Sequence, residues 1–198
     1  MSLARFYPIF DSPDWIARAV GLGVRLVQLR IKDQPEEAVR AAVRAALAVC
    51  EAHGATLVVN DYWRIAIEEG APFVHLGQED LDTADRAAIA RAGVKLGLST
   101  HDDAELDRAL AAGPDYVALG PIFPTILKAM KWREQGIAKL TAWKARVGAI
   151  PLCAIGGMRV ETAPDAFAAG ADLVSAVTDI TLNPDPDARI RAWLEACG

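Results

Sequence analysis

The chain has 198 residues, 53% of them hydrophobic and 24% charged, with 21 Lys and Arg against 26 Asp and Glu for a net charge of −5. Such a composition can bury one sizeable core and excludes a disordered chain. The acidic balance, without a run of Lys and Arg, excludes a broad surface for nucleic acid or anionic membrane.

Short apolar runs rich in Val, Leu and Ile recur at 6–10, 26–31, 56–60, 73–77, 95–99, 116–120, 151–155 and 172–177, and each reads as a strand buried on both faces. Helical stretches lie between them. The clearest covers 36–53, where Val39, Val43, Leu47 and Cys50 share one face while Arg40, Arg44 and Glu51 can face water. Gly21, Gly54, Gly70, Gly93, Gly113, Gly148 and Gly170 each stand just ahead of a strand, where helices commonly end on a residue without Cβ. Asp11, Ser12 and Thr83 are expected N-caps, and Asp103 is the expected cap of 104–112. The widest gap, 120–151, holds one long loop and a helix around 140–147. Eight strands, each followed by a helix and with no linker or low-complexity segment, predict one domain over 1–198: an α/β chain folded as a single (β/α)8 TIM barrel, near the smallest size at which eight units close. A doubly wound open sheet would use fewer strands.

No segment is apolar for the roughly 18 residues that a membrane span needs, and Met1-Ser2-Leu3-Ala4-Arg5 lacks the apolar core of a signal peptide. Cys50, Cys153 and Cys197 form an odd count with no close pair, which predicts neither a disulfide framework nor a thiolate metal site and suits a reducing compartment.

In such barrels the reactive groups stand at the C-terminal ends of the strands and in the loops that follow. Gln28, Arg30 and Lys32 occupy alternate positions at the end of strand 2, so an extended chain points them one way. Inward positive charge needs a partner. A phosphate or diphosphate suits an arginine and a lysine; an ion pair with Asp61 or Asp80 is the alternative. Asp61 and Asp80 end strands 3 and 4, where two carboxylates can share Mg2+ with substrate phosphates or can cap the next helices. Glu79 is a weaker candidate for the same work. Gly156 and Gly157 after strand 7, with Val177 and Thr178 after strand 8, offer backbone N–H groups to a second phosphate. His75 reads as a satisfied core histidine, His53 as a surface residue, and His101 as either a base at the rim or the start of a helix. Cys153, Trp15, Trp143 and Trp193 read as packing, Lys131, Arg133 and Glu134 as solvated loop, and Trp63 and Trp132 as rim residues able to line a pocket.

The motifs at successive strand ends resemble the thiamine phosphate synthase family over essentially the whole chain. They are Gln28-Leu29-Arg30 with Lys32, Asn60-Asp61, His75-Leu76-Gly77-Gln78-Glu79-Asp80, Ser99-Thr100-His101, Gly120-Pro121-Ile122-Phe123-Pro124-Thr125 with Lys128, and Ile155-Gly156-Gly157-Met158. The resemblance implies a cytoplasmic transferase of thiamine biosynthesis. It would join a hydroxymethylpyrimidine diphosphate to a thiazole phosphate, carboxylated or not, releasing diphosphate by Mg2+-assisted dissociative substitution. Carried over by position, Gln28, Arg30, Lys32, Asn60, Ser99 and Lys128 would hold the pyrimidine diphosphate, with Arg30, Lys32 and Lys128 stabilising charge on the leaving group. Asp61 and Asp80 would ligate Mg2+. Thr125, Leu127, Gly157, Val177 and Thr178 would line the thiazole phosphate site.

Two positions depart from the family pattern. Where the family usually reads Thr-x-Thr-Lys, this chain reads Thr125-Ile126-Leu127-Lys128, so a contact at Leu127 must come from its backbone. Thr178 stands where serine is common and keeps the hydroxyl. A thiazole tautomerase with His101 as base, and a catalytically silent barrel binding a phosphate ligand, are the alternative readings; the charged rim argues against both. The implied partners are the two small-molecule substrates, with no nucleic acid and no membrane, and association as a homodimer is left open.

Overall fold

The apolar runs fold as eight parallel strands in a computed structural model that describes residues 3–125 and 132–198. They are β1 (Ile9–Phe10), β2 (Leu26–Leu29), β3 (Thr56–Asn60), β4 (Phe73–Leu76), β5 (Lys95–Thr100), β6 (Tyr116–Leu119), β7 (Leu152–Ala154) and β8 (Leu173–Val174), hydrogen-bonded side by side in chain order. The sheet closes through the segment ahead of β1. Tyr7 N–H donates to the Val174 carbonyl at 2.9 Å, Val174 N–H to the Arg5 carbonyl at 2.8 Å, and Ile9 N–H to the Ala176 carbonyl at 3.1 Å. This is the TIM barrel that the βα alternation predicts.

β1 is shorter than the apolar run 6–10 because Pro8 has no N–H to donate to β2. Its carbonyl still accepts from Gln28 N–H at 3.0 Å, and the register begins only at Ile9 opposite Gln28.

Around the sheet run α1 (Pro13–Gly21), α2 (Glu36–Ala52), α3 (Trp63–Glu68), α4 (Gln78–Thr83), α5 (Arg86–Arg91), α6 (Asp103–Ala112), α7 (Gly136–Val147), α8 (Ala163–Ala168), α9 (Thr178–Thr181) and α10 (Pro186–Cys197). Two strands are followed by a pair of helices where one was expected. After β4, Ala84 is extended with ψ 134° and separates α4 from α5; after β8, the short α9 precedes α10. Ser12, not Asp11, caps α1, accepting from Trp15 N–H at 3.4 Å. Asp85 caps α5 by accepting from Ala88 N–H at 2.9 Å, while Thr83 ends α4. Asp102 caps α6, accepting from Glu105 N–H at 2.9 Å, which makes Asp103 the first helical residue. Gly21 is still helical in α1, and the positive φ falls at Gly23 (112°).

Alternation along each strand sorts side chains between two cores. Val27, Leu29, Leu57, Val59, Val74 and Leu98 face outward onto the helices, with Trp143 and Trp193 buried among them. Tyr7, Leu26, Val58, Phe73, Tyr116, Cys153 and Leu173 fill the barrel interior. Gln28, Asn60, His75 and Ser175 stand two residues beyond Leu26, Val58, Phe73 and Leu173, share their inward direction, and are buried as a polar layer above that apolar floor.

Candidate active site

The polar layer opens into a cavity of about 420 Å³ at the C-terminal ends of the strands. Gln28, Arg30, Lys32, Asn60 and Ser99 line it, as do Asp61 and Asp80 and, across the mouth, Thr125, Gly157, Val177 and Thr178. Leu127 and Lys128 lie outside the described residues.

β2 ends at Leu29, so Arg30 and Lys32 rise above the sheet. The Lys32 side chain is 47% exposed and its ammonium pairs with the Asp61 carboxylate, so the ion-pair alternative is realised at the rim. Arg30 is half-buried against the cavity, and its guanidinium has no carboxylate partner among the described residues.

The two aspartates meet because the chain turns sharply after β3. Asp61 has φ 64°, uncommon for a residue with a side chain. Its N–H donates to the His75 carbonyl at 2.9 Å and its carbonyl accepts from Trp63 N–H at 2.8 Å, which folds the carboxylate back over the mouth. Asp80, in the first turn of α4, accepts from Gly77 N–H at 3.2 Å, so its capping role is real. Its carboxyl also comes within hydrogen-bonding reach of Asp61. Burial, and then the Asp61 charge beside it, hold the Asp80 carboxyl above the usual carboxylate range. A dication between them would relieve that repulsion. Among the described residues no group of three or more His, Cys, Asp or Glu forms a metal cage; one or two carboxylates completed by substrate oxygens is the arrangement Mg2+ commonly takes.

Below the carboxylates runs a buried chain of hydrogen bonds. Gln28 Nε2 donates to the Tyr7 hydroxyl at 2.6 Å, and the Tyr7 and Tyr116 hydroxyls are 2.8 Å apart. The Tyr116 hydroxyl lies 2.7 Å from His75 Nδ1, and His75 Nε2 lies 2.7 Å from Ser99 Oγ. Burial lowers the His75 pKa to about 4 and raises both tyrosines, so the ring is neutral and the phenols are protonated at neutral pH. His75 is the satisfied core histidine the sequence predicts, yet it also lines the cavity.

Two further wall residues, Gln78 and Ser175, were not singled out by the sequence as site residues. Gln78 donates to the Ser99 carbonyl at 2.7 Å, but its Oε1 is buried without a partner among the described residues, as is Ser175 Oγ. Both residues line the cavity. The period-2 pattern of strand 8 was the available signal for Ser175, since inward-facing Leu173 fixes its direction. At the rim, His101 Nδ1 lies 2.7 Å from Glu105 Oε2 and its ring stacks on Trp132 at 4.1 Å. Trp132 Nε1 donates to Asp102 at 3.3 Å, so Trp132 forms wall as expected. Trp63 instead packs partly buried on the outer core, with Arg64 over its ring at 4.3 Å.

Gly156 and Gly157 have φ 89° and 66°. A Cβ would stand 2.6 Å from Pro121 Cα at Gly156 and 2.5 Å from the Pro124 carbonyl oxygen at Gly157. The glycine pair therefore seats the loop after β6 against the end of β7, a packing requirement independent of any phosphate.

Residues 7–180 match the family model described as thiamine monophosphate synthase. The thiamine-phosphate synthase of Rhizobium etli is 61% identical over 99% of this chain and 96% of its own length. That of Cronobacter sakazakii is 47% identical over 97% of this chain and 91% of its own. The solved thiamine phosphate pyrophosphorylase from Pyrococcus furiosus, 23% identical, superposes with a TM-score of 0.87 over 98% of this chain and 95% of its own, a likeness of fold.

Proposed function

The chain belongs to the thiamine monophosphate synthase family, and from that premise we propose that it couples a hydroxymethylpyrimidine diphosphate to a thiazole phosphate in the barrel mouth, releasing diphosphate. It is a transferase of thiamine biosynthesis that acts on small molecules. In the proposed step the bond from the pyrimidine methylene carbon to the diphosphate oxygen breaks first, and its electron pair leaves with the diphosphate. The ring amine stabilises the resulting cation, and the thiazole nitrogen donates its lone pair to the methylene carbon.

Arg30 and Lys32 would take the diphosphate, the guanidinium through paired N–H donors and the ammonium as a point charge able to exchange Asp61 for substrate oxygens. Lys128 joins them in this reading on the strength of its motif alone. Charge grows on the leaving group as the bond breaks, so these cations would act more strongly on the transition state than on the bound substrate. Asp61 and Asp80 would hold Mg2+, which when bound supplies further positive charge to the diphosphate oxygens. Gln28, Asn60 and Ser99 would orient the pyrimidine half, and Thr125, Gly157, Val177 and Thr178 the thiazole phosphate, with Leu127 limited to its backbone. Holding both in one cavity supplies proximity, and no covalent nucleophile is needed.

No helix among the described residues is long and apolar enough to cross a membrane. Cys50, Cys153 and Cys197 are buried free thiols whose pKa values burial raises, as suits a reducing cytoplasm.

Arg30 carries this reading: a half-buried guanidinium without a carboxylate partner among the described residues, beside a cavity that also holds two abutting aspartates. Incubating the purified chain with both substrates and Mg2+ should yield thiamine phosphate and diphosphate in equal amounts, and leaving out any one component should stop the reaction. No thiamine phosphate from the complete mixture would overturn the reading.

A further inference from the structure

We propose that Tyr7, Tyr116 and His75 form a one-way hydrogen-bond relay beneath the cavity, which fixes Gln28 as an acceptor and Ser99 as a donor toward the bound pyrimidine diphosphate. The three are positioning residues, and the substrate half of this inference rests on the function proposed above.

The direction follows from counting protons. Gln28 Nε2 can only donate, so the Tyr7 oxygen accepts from it at 2.6 Å. Tyr7 has one proton, and the neighbouring acceptor is the Tyr116 oxygen at 2.8 Å. Tyr116 then spends its single proton on His75 Nδ1 at 2.7 Å. A ring nitrogen that accepts carries no hydrogen, so the proton of the neutral imidazole sits on Nε2 and is donated to Ser99 Oγ at 2.7 Å. With the Gln28 amide turned as it is, Nε2 toward Tyr7, any other assignment leaves one buried hydroxyl proton without an acceptor along this chain, at the usual cost of an unsatisfied buried polar group. Desolvation, which raises both tyrosines, keeps their protons in place across the working pH range.

Both ends of the relay reach the cavity, since Gln28 and Ser99 line it. Gln28 has committed one of its two amide N–H groups to Tyr7, which sets the orientation of the amide and leaves its Oε1 to accept, as an exocyclic ring amine requires. Ser99 already accepts from His75, so its own proton is free for a diphosphate oxygen. Hydrogen bonds in series polarise one another, which strengthens the donor at the end of the chain. The site thus presents an acceptor where the ring amine must give electron density and a donor where the leaving oxygen gains charge.

The relay has space because residue 97 is glycine. A Cβ there would lie 2.1 Å from the Tyr116 ring, which is itself buried in the barrel interior.

Two measurements test the proposal. Nitrogen-15 NMR of the histidine-labelled full chain reports each ring's tautomer directly, with the His75 signals identified by their loss in His75→Gln. The relay predicts the Nε2–H tautomer of His75 in the substrate-free protein; an Nδ1–H tautomer would reverse the relay and overturn it. Tyr116→Phe removes the donor to Nδ1 and should let both tautomers appear. Its kcat should fall on the order of tenfold, less than the loss of a direct donor to a reacting group, with the KM for the thiazole phosphate within about twofold. Tyr7→Phe, which leaves Tyr116 in contact with His75, should give a smaller loss in the same direction. Wild-type kcat in a folded Tyr116→Phe, or a loss confined to KM, would contradict the relay. The tautomer needs no substrate, so a chain that makes no thiamine phosphate yet shows Nε2–H would sink the proposed function and leave the relay's direction standing.

Discussion

Asp80 caps α4 and faces Asp61 with the same carboxyl group. Its pKa is raised in the folded protein, so the electrostatic penalty is absent at low pH, grows as pH rises through the carboxylate range and is complete at neutral pH. Asp80→Asn keeps an oxygen for Gly77 N–H and removes the repulsion. It should raise the melting temperature of the metal-free protein at pH 7 and abolish Mg2+-dependent turnover, while Mg2+ should raise the melting temperature of the wild type only. Thermal unfolding with and without Mg2+ checks both, and a wild type unmoved by Mg2+ would count against the metal pair. His75 gives the opposite pH signature. Its folded pKa of about 4 lies below the ordinary histidine value, so the unfolded chain takes up a proton first as pH falls. Stability is full above about pH 6.5 and declines toward pH 4, by an amount on the order of 3 kcal/mol. Denaturant unfolding across that window should show the slope in the wild type and flatten it in His75→Gln.

At the scale of the element, the barrel works by letting each strand change character along its length. Leu26 and Gln28, Val58 and Asn60, Phe73 and His75 are inward pairs with an apolar member on the floor and a polar member at the mouth. That much was legible in the sequence, because period-2 geometry fixes the direction and chain order makes strands 3 and 4 neighbours, which brings Asp61 to Asp80. The relay was not legible. Tyr7 and Tyr116 are 109 positions apart and look like ordinary strand aromatics until barrel closure brings the segment ahead of β1 and the side chains of β6 together inside. The shortening of β1 at Pro8 was legible in principle, since proline donates no ladder hydrogen bond, whereas the choice of Asp102 over Asp103 as cap turns on one residue of backbone geometry. Gly97 is the element-scale lever. Gly97→Ala drives a methyl group into the Tyr116 ring and should cost about 1–3 kcal/mol of stability by overpacking. It should also lower kcat by displacing Tyr116. A variant with unchanged unfolding free energy and turnover would show that the ring has room.

For the whole molecule, a net charge of −5 surrounds a mouth where Arg30 and Lys32 supply local positive charge. The mouth, a cavity of about 420 Å³, is sized for small anions. Strand order alone gathers these groups, since Arg30 and Lys32 follow β2, the aspartates follow β3 and β4, and the glycine pair follows β7. The central claim is that Arg30 acts on the departing diphosphate in this one mouth. Single-turnover measurement of diphosphate release by the wild type and Arg30→Ala, with thiazole phosphate saturating, tests it most directly. The account predicts release slowed by about a hundredfold or more in the variant, with the KM for the thiazole phosphate unchanged. Release at the wild-type rate, with the loss appearing only in thiazole affinity, would place Arg30 in the other half of the site and contradict it.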